Sequence, residues 1–155
     1  MMEMLDTLPI IPLFEGLDAE QTSTLMAVFE KYTCPPDTVI FEQGDAALYL
    51  YLILKGRAVI SYKPYDGPRI VITRLRDGDV FGWSAAVGSN RYSSSVASES
   101  TLEAIRLRRE RLWEITKYQP DTGKIIIDRL ALNVSPRWKN AHDQIKPLIR
   151  GAERK

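Results

Sequence analysis

Residues 81–95 contain the groups most able to bind a small molecule. Gly82 precedes a Trp-Ser-Ala-Ala run that can form one helical turn, and the unpaired N–H groups that begin such a turn attract anions. Ser93, Ser94 and Ser95 carry hydroxyls that can donate to a phosphate or to a base edge. A polar strand face without a ligand is the alternative for these serines. The chemistry indicated is recognition of a small anion.

The first block of elements, residues 1–34, is predicted to be mostly helical. Asp18 and Gln21 form a capping box at the start of a helix, and apolar residues follow at helical spacing up to Phe29. Pro35 and the proline after it cannot continue a helix. We therefore expect this block to stay helical until Pro35.

The second block, residues 35–107, is predicted to consist of short strands separated by turn residues. The predicted strands are 39–41, 48–54, 58–62, 70–72, 92–97 and 102–107. Many short strands with a turn every few residues favour a β sandwich or jelly roll over a βαβ sheet. The expected fold is mainly β, a jelly roll (double-stranded β-helix) with flanking helices.

The third block, residues 108–155, returns to helix. We expect one helix over 111–118 and a second that begins near Asp121, with a break at Ser135 because Pro136 fits poorly inside a helix. A third helix would follow the break. The apolar face of these helices either forms the seam of a homodimer or packs on the protein's own barrel. Its residues are Ile126, Leu130, Val134 and Trp138.

Few groups in the sequence are able to support catalysis. A cupin-type metalloenzyme shares the barrel shape but requires several His and carboxylate ligands inside it. The single histidine, His142, lies instead in the C-terminal helical block. Cys34 has no cationic neighbour beyond Lys31, so we expect an inert thiol. Nucleophile-elbow, Walker and zincin motifs are absent from the sequence. We predict no enzyme, no metal and no cofactor.

Composition predicts one soluble domain over residues 1–155. Lys and Arg total 21 against 20 for Asp and Glu, and a net charge of +1 creates no field that attracts nucleic acid. No apolar run approaches the roughly 20 residues needed to cross a bilayer, and the N-terminus lacks the basic start of a signal peptide. One cysteine allows no internal disulfide and fits a reducing compartment. We expect a cytoplasmic protein.

Three glycine-containing motifs stand at fixed places in the series of strands. They are IFEQGD at 40–45, YLILKG at 51–56 and GDVFG at 78–82. With these motifs, with an opening segment at 12–17 and with the order helix, jelly roll and C-terminal helices, residues 10–135 resemble the cyclic-nucleotide-binding domain family. That family includes catabolite-activator-type regulators and kinase regulatory subunits.

The resemblance implies a pocket for cyclic AMP or cyclic GMP. Backbone N–H groups in the turn after Gly82 would point at the cyclic phosphate, as a helix N-terminus is expected to do. The implied ligand-binding residues are Phe81, Gly82, Trp83, Ser84, Ala85, Arg91, Tyr92, Ser93 and Ser94.

Two positions depart from the family's pattern. Trp83 stands where the family has a glutamate that accepts a hydrogen bond from the ribose 2′-hydroxyl, and an indole has only a donor. Losing that bond weakens binding by about 1.5–3 kcal/mol. Trp83 would close the barrel mouth or stack on a base. Tyr92 stands in the register of the phosphate-pairing arginine; Arg91 faces the pocket only if the strand begins later and is otherwise a surface charge.

Two functions from different classes follow from these residues. The first is a regulatory, sensory domain that binds cyclic AMP or a related small anion through altered contacts. The second is a pseudo-binding domain that has lost nucleotide binding and works as a protein-interaction or dimerisation module, with an unknown effector. Because the chain ends at Lys155, soon after Pro136, we expect no DNA-binding domain.

Overall fold

Two four-stranded antiparallel sheets pack together in the computed structural model, which describes residues 15–134. The helices are α1 (Ala19–Val28), α2 (Arg109–Tyr118) and α3 (Pro120–Leu132). The strands are β1 (Phe29–Cys34), β2 (Val39–Phe41), β3 (Tyr49–Lys55), β4 (Ala58–Tyr62), β5 (Ile70–Leu75), β6 (Val80–Phe81), β7 (Ser95–Ser98) and β8 (Leu102–Arg108). A 3₁₀ turn, Trp83–Ala85, follows β6. These elements confirm the predicted mainly β jelly roll with flanking helices.

The first sheet, in the order β1-β8-β3-β6, is covered on both of its faces. Strand β3 is buried at four consecutive residues, Leu50 to Ile53, and a strand without exposed alternate residues has both faces covered. The second sheet covers one face and the helices cover the other, since Leu25, Leu112 and Ile126 of the helices belong to the same core. This sheet therefore lies at the centre of the molecule.

The second sheet, in the order β2-β7-β4-β5, has one face in solvent. Val39 and Val71 are 56% and 49% exposed, whereas Ile60 and Val96 point into the core and are buried. Such alternation is typical of an antiparallel sheet with a single covered face. The inner face of this sheet, together with β6, encloses the segment that contains the predicted ligand-binding residues.

Residues 29–34 form a strand, so the prediction of helix up to Pro35 is wrong for this stretch. The predicted capping box of Asp18 and Gln21 is present at the start of α1, but the helix ends at Val28. Strand β1 then pairs with β8 along its whole length. A ladder of six residue pairs with a distant strand outweighs local helical spacing, and sequence position alone does not reveal such a partner.

The strand predicted to start at Tyr92 begins at Ser95 instead. The backbone of Tyr92 pairs with the loop before β3: the N–H of Gly44 donates to Tyr92 O at 2.8 Å, and the N–H of Tyr92 donates to Asp45 O at 2.9 Å. These two hydrogen bonds hold the segment around Tyr92 against that loop. They satisfy the backbone groups of Tyr92, so Tyr92 does not join the β7 ladder. They also fix the directions in which Arg91 and Tyr92 project.

The apolar face of α3 packs on the protein's own core. Ile126 and Leu130 are 0% and 1% exposed, and Val134 is 4% exposed. Three of the four residues predicted for a homodimer seam thus pack on the protein's own core. The homodimer itself stays a prediction. Helix α3 ends at Leu132, so Val134 lies beyond the helix and forms a parallel bridge with Val80.

Several predictions concern the termini, outside residues 15–134. They are the opening segment before residue 15, the break at Ser135, the third helix with Trp138, and the position of His142. Within the described part of the chain, no helix is long and apolar enough to cross a membrane.

Candidate functional site

The predicted turn after β6 is present and depends on Gly82. This residue has φ +80°, in the left-handed region, and leads into the 3₁₀ turn of Trp83, Ser84 and Ala85. A Cβ at Gly82 would lie 2.8 Å from the carbonyl oxygen of Tyr49, a contact that real side chains do not make. Only glycine combines this backbone conformation with so close an approach.

A small cavity lies between this turn and the inner face of the second sheet. Its volume is about 10 Å³, the space of roughly one water molecule. Pockets that bind small molecules measure about 300–1,000 Å³, so the cavity does not fit a cyclic nucleotide as it stands. Its lining residues are Phe41, Ile60, Val80, Phe81, Gly82, Trp83, Ser84, Tyr92, Ser93, Ser94, Val96 and Val134.

Tyr92 fills the space beside the turn. Its ring stacks on that of Phe41, with centroids 3.6 Å apart and planes 9° from parallel. Its hydroxyl donates to the carbonyl oxygen of Tyr49 at 2.5 Å and accepts from the N–H of Tyr49 at 3.0 Å. The side chain is only 6% exposed. Tyr92 is therefore a satisfied core residue, at the position where the resemblance leads us to expect a phosphate-pairing arginine.

The Tyr92 hydroxyl supplies no charge for an anion. Burial raises its pKa well above the usual value near 10, so the group is neutral at physiological pH. Among the described residues that line the cavity, none is a lysine or arginine. The described lining therefore lacks a positively charged side chain that could pair with a phosphate.

Arg91 lies outside the cavity, which decides between the two predicted placements. Its side chain is exposed, its Nη1 donates to the carbonyl oxygen of Gly44 at 2.7 Å, and its backbone bridges to Ala46. Because Tyr92 points into the core, its neighbour Arg91 projects to the opposite side. The prediction that Arg91 contacts a ligand is therefore not supported by its position, and Arg91 is a surface charge.

Trp83 lies at the cavity, where we predict that it closes the barrel mouth or stacks on a base. It is half-buried, lines the cavity and packs against the core. Its indole offers no acceptor for a ribose hydroxyl. Ala85 is fully buried beneath the turn and does not line the cavity.

The serines divide between the cavity and the sheet. Ser84, Ser93 and Ser94 line the cavity as predicted. Ser95 does not: its hydroxyl donates to Glu42 Oε1 at 3.0 Å and accepts from the N–H of Gln43 at 2.9 Å. For Ser95 the polar strand face is the correct interpretation, because its hydroxyl links β7 to the segment after β2.

Five lining residues were not predicted from the sequence. They are Phe41, Ile60, Val80, Val96 and Val134. All are apolar and come from strands or from the end of α3, so their side chains give no chemical signal. Two of the glycine-containing motifs, at 40–45 and 78–82, include Phe41 and Val80 and so marked part of this wall.

Comparison with known proteins identifies the family to which this chain is similar. A family model described as a cyclic nucleotide-binding domain matches residues 32–119, more than half of the chain. Cyclic nucleotide-gated channel beta-3 of Homo sapiens is 25% identical over 134 residues, covering 84% of this chain and 16% of the channel. The cyclic AMP receptor protein of Thermus thermophilus is 25% identical over 130 residues, covering 84% of this chain and 58% of the receptor.

A solved structure supports the fold. A cyclic nucleotide-binding domain from Methylobacillus flagellatus superposes with a TM-score of 0.72 at 23% identity, covering 92% of this chain and 80% of that one. The chain spans less than two thirds of the length of the two curated relatives. The match of the family model, the jelly roll and the turn at Gly82 agree: the chain belongs to the cyclic nucleotide-binding domain family.

Proposed function

We propose that this protein is a regulatory domain that acts through protein contacts, with its nucleotide pocket closed by its own side chains. One observation carries the proposal: the buried Tyr92 ring stacks on Phe41 where the phosphate-pairing arginine would lie. The proposal corresponds to the second predicted function, the pseudo-binding domain.

The free-energy balance supports this choice. Each missing anchor removes a hydrogen bond to a charged group, worth about 1.5–3 kcal/mol. Two such losses weaken binding by about 10²- to 10⁴-fold, at 1.4 kcal/mol per factor of ten. A nucleotide would also have to displace the Tyr92 ring and break both of its hydrogen bonds to Tyr49. Tight binding by the family's usual contacts is incompatible with these costs.

We propose that exposed side chains of the C-terminal helices contact the partner. Trp113 and Tyr118 of α2 are 45% and 71% exposed, and Leu132 at the end of α3 is 83% exposed. Large apolar and aromatic side chains are enriched where proteins contact each other. A regulatory domain without a ligand needs such a surface, because protein contacts are then its means of action.

A sensor with altered contacts is the competing function. The names of the two curated relatives refer to cyclic nucleotides, and Ser84, Ser93 and Ser94 offer hydroxyls in the cavity wall. Such a sensor would take cyclic AMP, cyclic GMP or a related small anion. It would require Tyr92 to leave the core.

A thermal-shift titration with cyclic AMP, cyclic GMP and cyclic dinucleotides separates the two functions. A ligand at 100 times its Kd adds about 2.7 kcal/mol of stability, a rise in Tm of roughly 5–10 °C for a chain of this size. We expect no saturable rise up to millimolar ligand, with the cyclic AMP receptor protein of Thermus thermophilus as the positive control. A saturable rise would establish the sensor and overturn the proposal.

A further inference from the structure

Arg109 is a buried arginine at the junction of β8 and α2. It is 7% exposed, and its Nη1 donates to the carbonyl oxygens of Ala47 at 2.9 Å and Ser89 at 3.0 Å. Its guanidinium carbon lies 4.5 Å from the ring centroid of Trp113 in α2. One side chain thus joins the loop before β3, the loop after the 3₁₀ turn and the first C-terminal helix.

The surroundings of Arg109 are unusual for a buried charge. Within residues 15–134 no carboxylate forms an ion pair with it, and its Nε has no hydrogen-bond partner there. Burying a charge without a carboxylate is costly. The two carbonyl oxygens, both bound by Nη1, and the aromatic face of Trp113 must offset that cost. The planar guanidinium also stacks on an aromatic ring, as a lysine ammonium does not.

The turn and its flanking residues, 80–91, form the turn segment. Its N-terminal end is also attached to the C-terminal helices. The N–H of Val80, just before Gly82, donates to the carbonyl oxygen of Asn133 at 3.0 Å. Val134 then forms a parallel bridge with Val80 and lines the cavity. The end of α3 therefore holds the entry to the turn, as Arg109 holds its exit.

Helices α2 and α3 pack closely against each other at Gly123. A Cβ at Gly123 of α3 would lie 2.8 Å from Thr116 Cγ2 and 2.9 Å from Thr116 Cα. The absence of a side chain at Gly123 lets the helix backbones touch. The two attachments consequently belong to one rigid pair of helices.

We infer that Arg109 is a positioning residue that fixes the exit loop, residues 86–91, to the C-terminal helices. With the Val80–Asn133 hydrogen bond it holds the turn at both ends and keeps Tyr92 in the core. The pocket opens only when the exit loop separates from α2. This inference does not depend on whether a nucleotide binds, because it concerns the attachment of the loop.

Hydrogen–deuterium exchange on the full chain tests this role with Arg109→Met and Arg109→Lys. Loss of even one hydrogen bond to a charged group should raise local opening about tenfold or more. We expect amides of the exit loop and of Ala47 to exchange at least tenfold faster in Arg109→Met, with amides of β4 unchanged. Exchange rates in Arg109→Lys should lie between those of Arg109→Met and the wild type, because a lysine keeps a charged donor but not the planar stack on Trp113.

Two control variants separate local release from general destabilisation. Arg111→Met removes an exposed arginine that pairs with Glu114 and should leave the exit loop as in the wild type. Leu75→Ala removes a buried side chain of β5 and should raise exchange in β4 as well. Unchanged exchange in the exit loop of Arg109→Met, or a uniform increase like that of Leu75→Ala, would overturn the inference.

Discussion

Tyr92 has three contacts that no other residue type could reproduce together. Its ring stacks on Phe41, and its hydroxyl satisfies both the N–H and the carbonyl of Tyr49. Phenylalanine would keep the stack but leave two backbone groups without a partner, and arginine would place a charge against an aromatic wall. The residue at this position therefore stabilises the closed interior as it removes the cation from the site.

Tyr92→Phe and Tyr92→Ala should lower stability by different amounts. Removing the hydroxyl leaves the Tyr49 backbone groups unsatisfied, at a cost of about 1–3 kcal/mol. Removing the whole ring should cost about 3–5 kcal/mol. Urea unfolding followed by circular dichroism measures both. Tyr65→Phe, at a residue that is 99% exposed, should change stability by less than about 0.5 kcal/mol. An unchanged free energy of unfolding in Tyr92→Phe would disprove the proposed hydrogen-bonding role.

Buried tyrosines should make the fold sensitive to alkali. Burial raises the pKa of Tyr32 to about 12 and also raises the pKa values of Tyr51 and Tyr92, while an unfolded tyrosine titrates near 10. The folded state keeps protons that the unfolded state releases, so this stability is complete below about pH 10 and falls as the pH rises towards 12 and beyond. Urea midpoints at pH 8, 10 and 11 should decline in that order.

The variant Tyr92→Phe isolates one contribution to the alkaline loss. This variant has one fewer tyrosine with a raised pKa, so its urea midpoint should fall less between pH 10 and pH 11 than that of the wild type. Lysine titration affects both proteins equally. Equal declines in the two proteins would show that the Tyr92 hydroxyl is not held protonated by burial.

Among the elements, α2 and α3 act as one unit because Gly123 allows direct backbone contact with Thr116. Their buried residues Leu112, Ile115 and Ile126 join the core of the first sheet. The pair is therefore a cover for that sheet and, through Arg109 and Asn133, a support for the turn segment. Displacing one helix from the other would disturb both roles.

Gly123→Ala should destabilise the protein although alanine favours helix. Helix propensity gains about 1 kcal/mol, but the new Cβ would meet backbone atoms of Thr116 at 2.9–3.1 Å. Overpacking of this kind costs about 1–3 kcal/mol, so we expect a lower Tm. Asp128→Ala, an exposed position in the same helix, serves as the control. A Tm at or above that of the wild type would mean that the helices separate without cost.

The sequence predicted these elements well where the signal is local. The capping box, the turn glycines, α2 and the strands β2, β3, β4, β5 and β8 follow from residue types within a short window. Strand β1 did not, because its partner β8 lies about seventy residues away in sequence and pairing is decided by tertiary packing. The same limit applied to Arg91 and Tyr92: their register depends on backbone bonds to Gly44 and Asp45. The apolar cavity wall and the role of Arg109 also depended on distant contacts.

At the scale of the whole molecule, two sheets and a helix pair enclose a pocket that the protein fills itself. The fold and the turn at Gly82 follow the cyclic nucleotide-binding domain family, whereas Tyr92, Phe41 and Val134 line a cavity with only about 10 Å³ of free space. Under the proposed function, the core that stabilises the domain also excludes a ligand. Regulation by such a molecule would reside in its outer surface, notably the exposed side chains of α2 and α3.

An NMR titration of the ¹⁵N-labelled protein with cyclic AMP measures ligand entry at the site itself. The amides of Gly82, Ser84 and Ser94 lie in the cavity wall and would report a bound phosphate directly. We expect their chemical shifts to stay constant up to millimolar ligand, with the protein folded throughout. Saturable shifts at these amides, together with changes at Tyr92, would show that the pocket opens and would contradict the closed-site function.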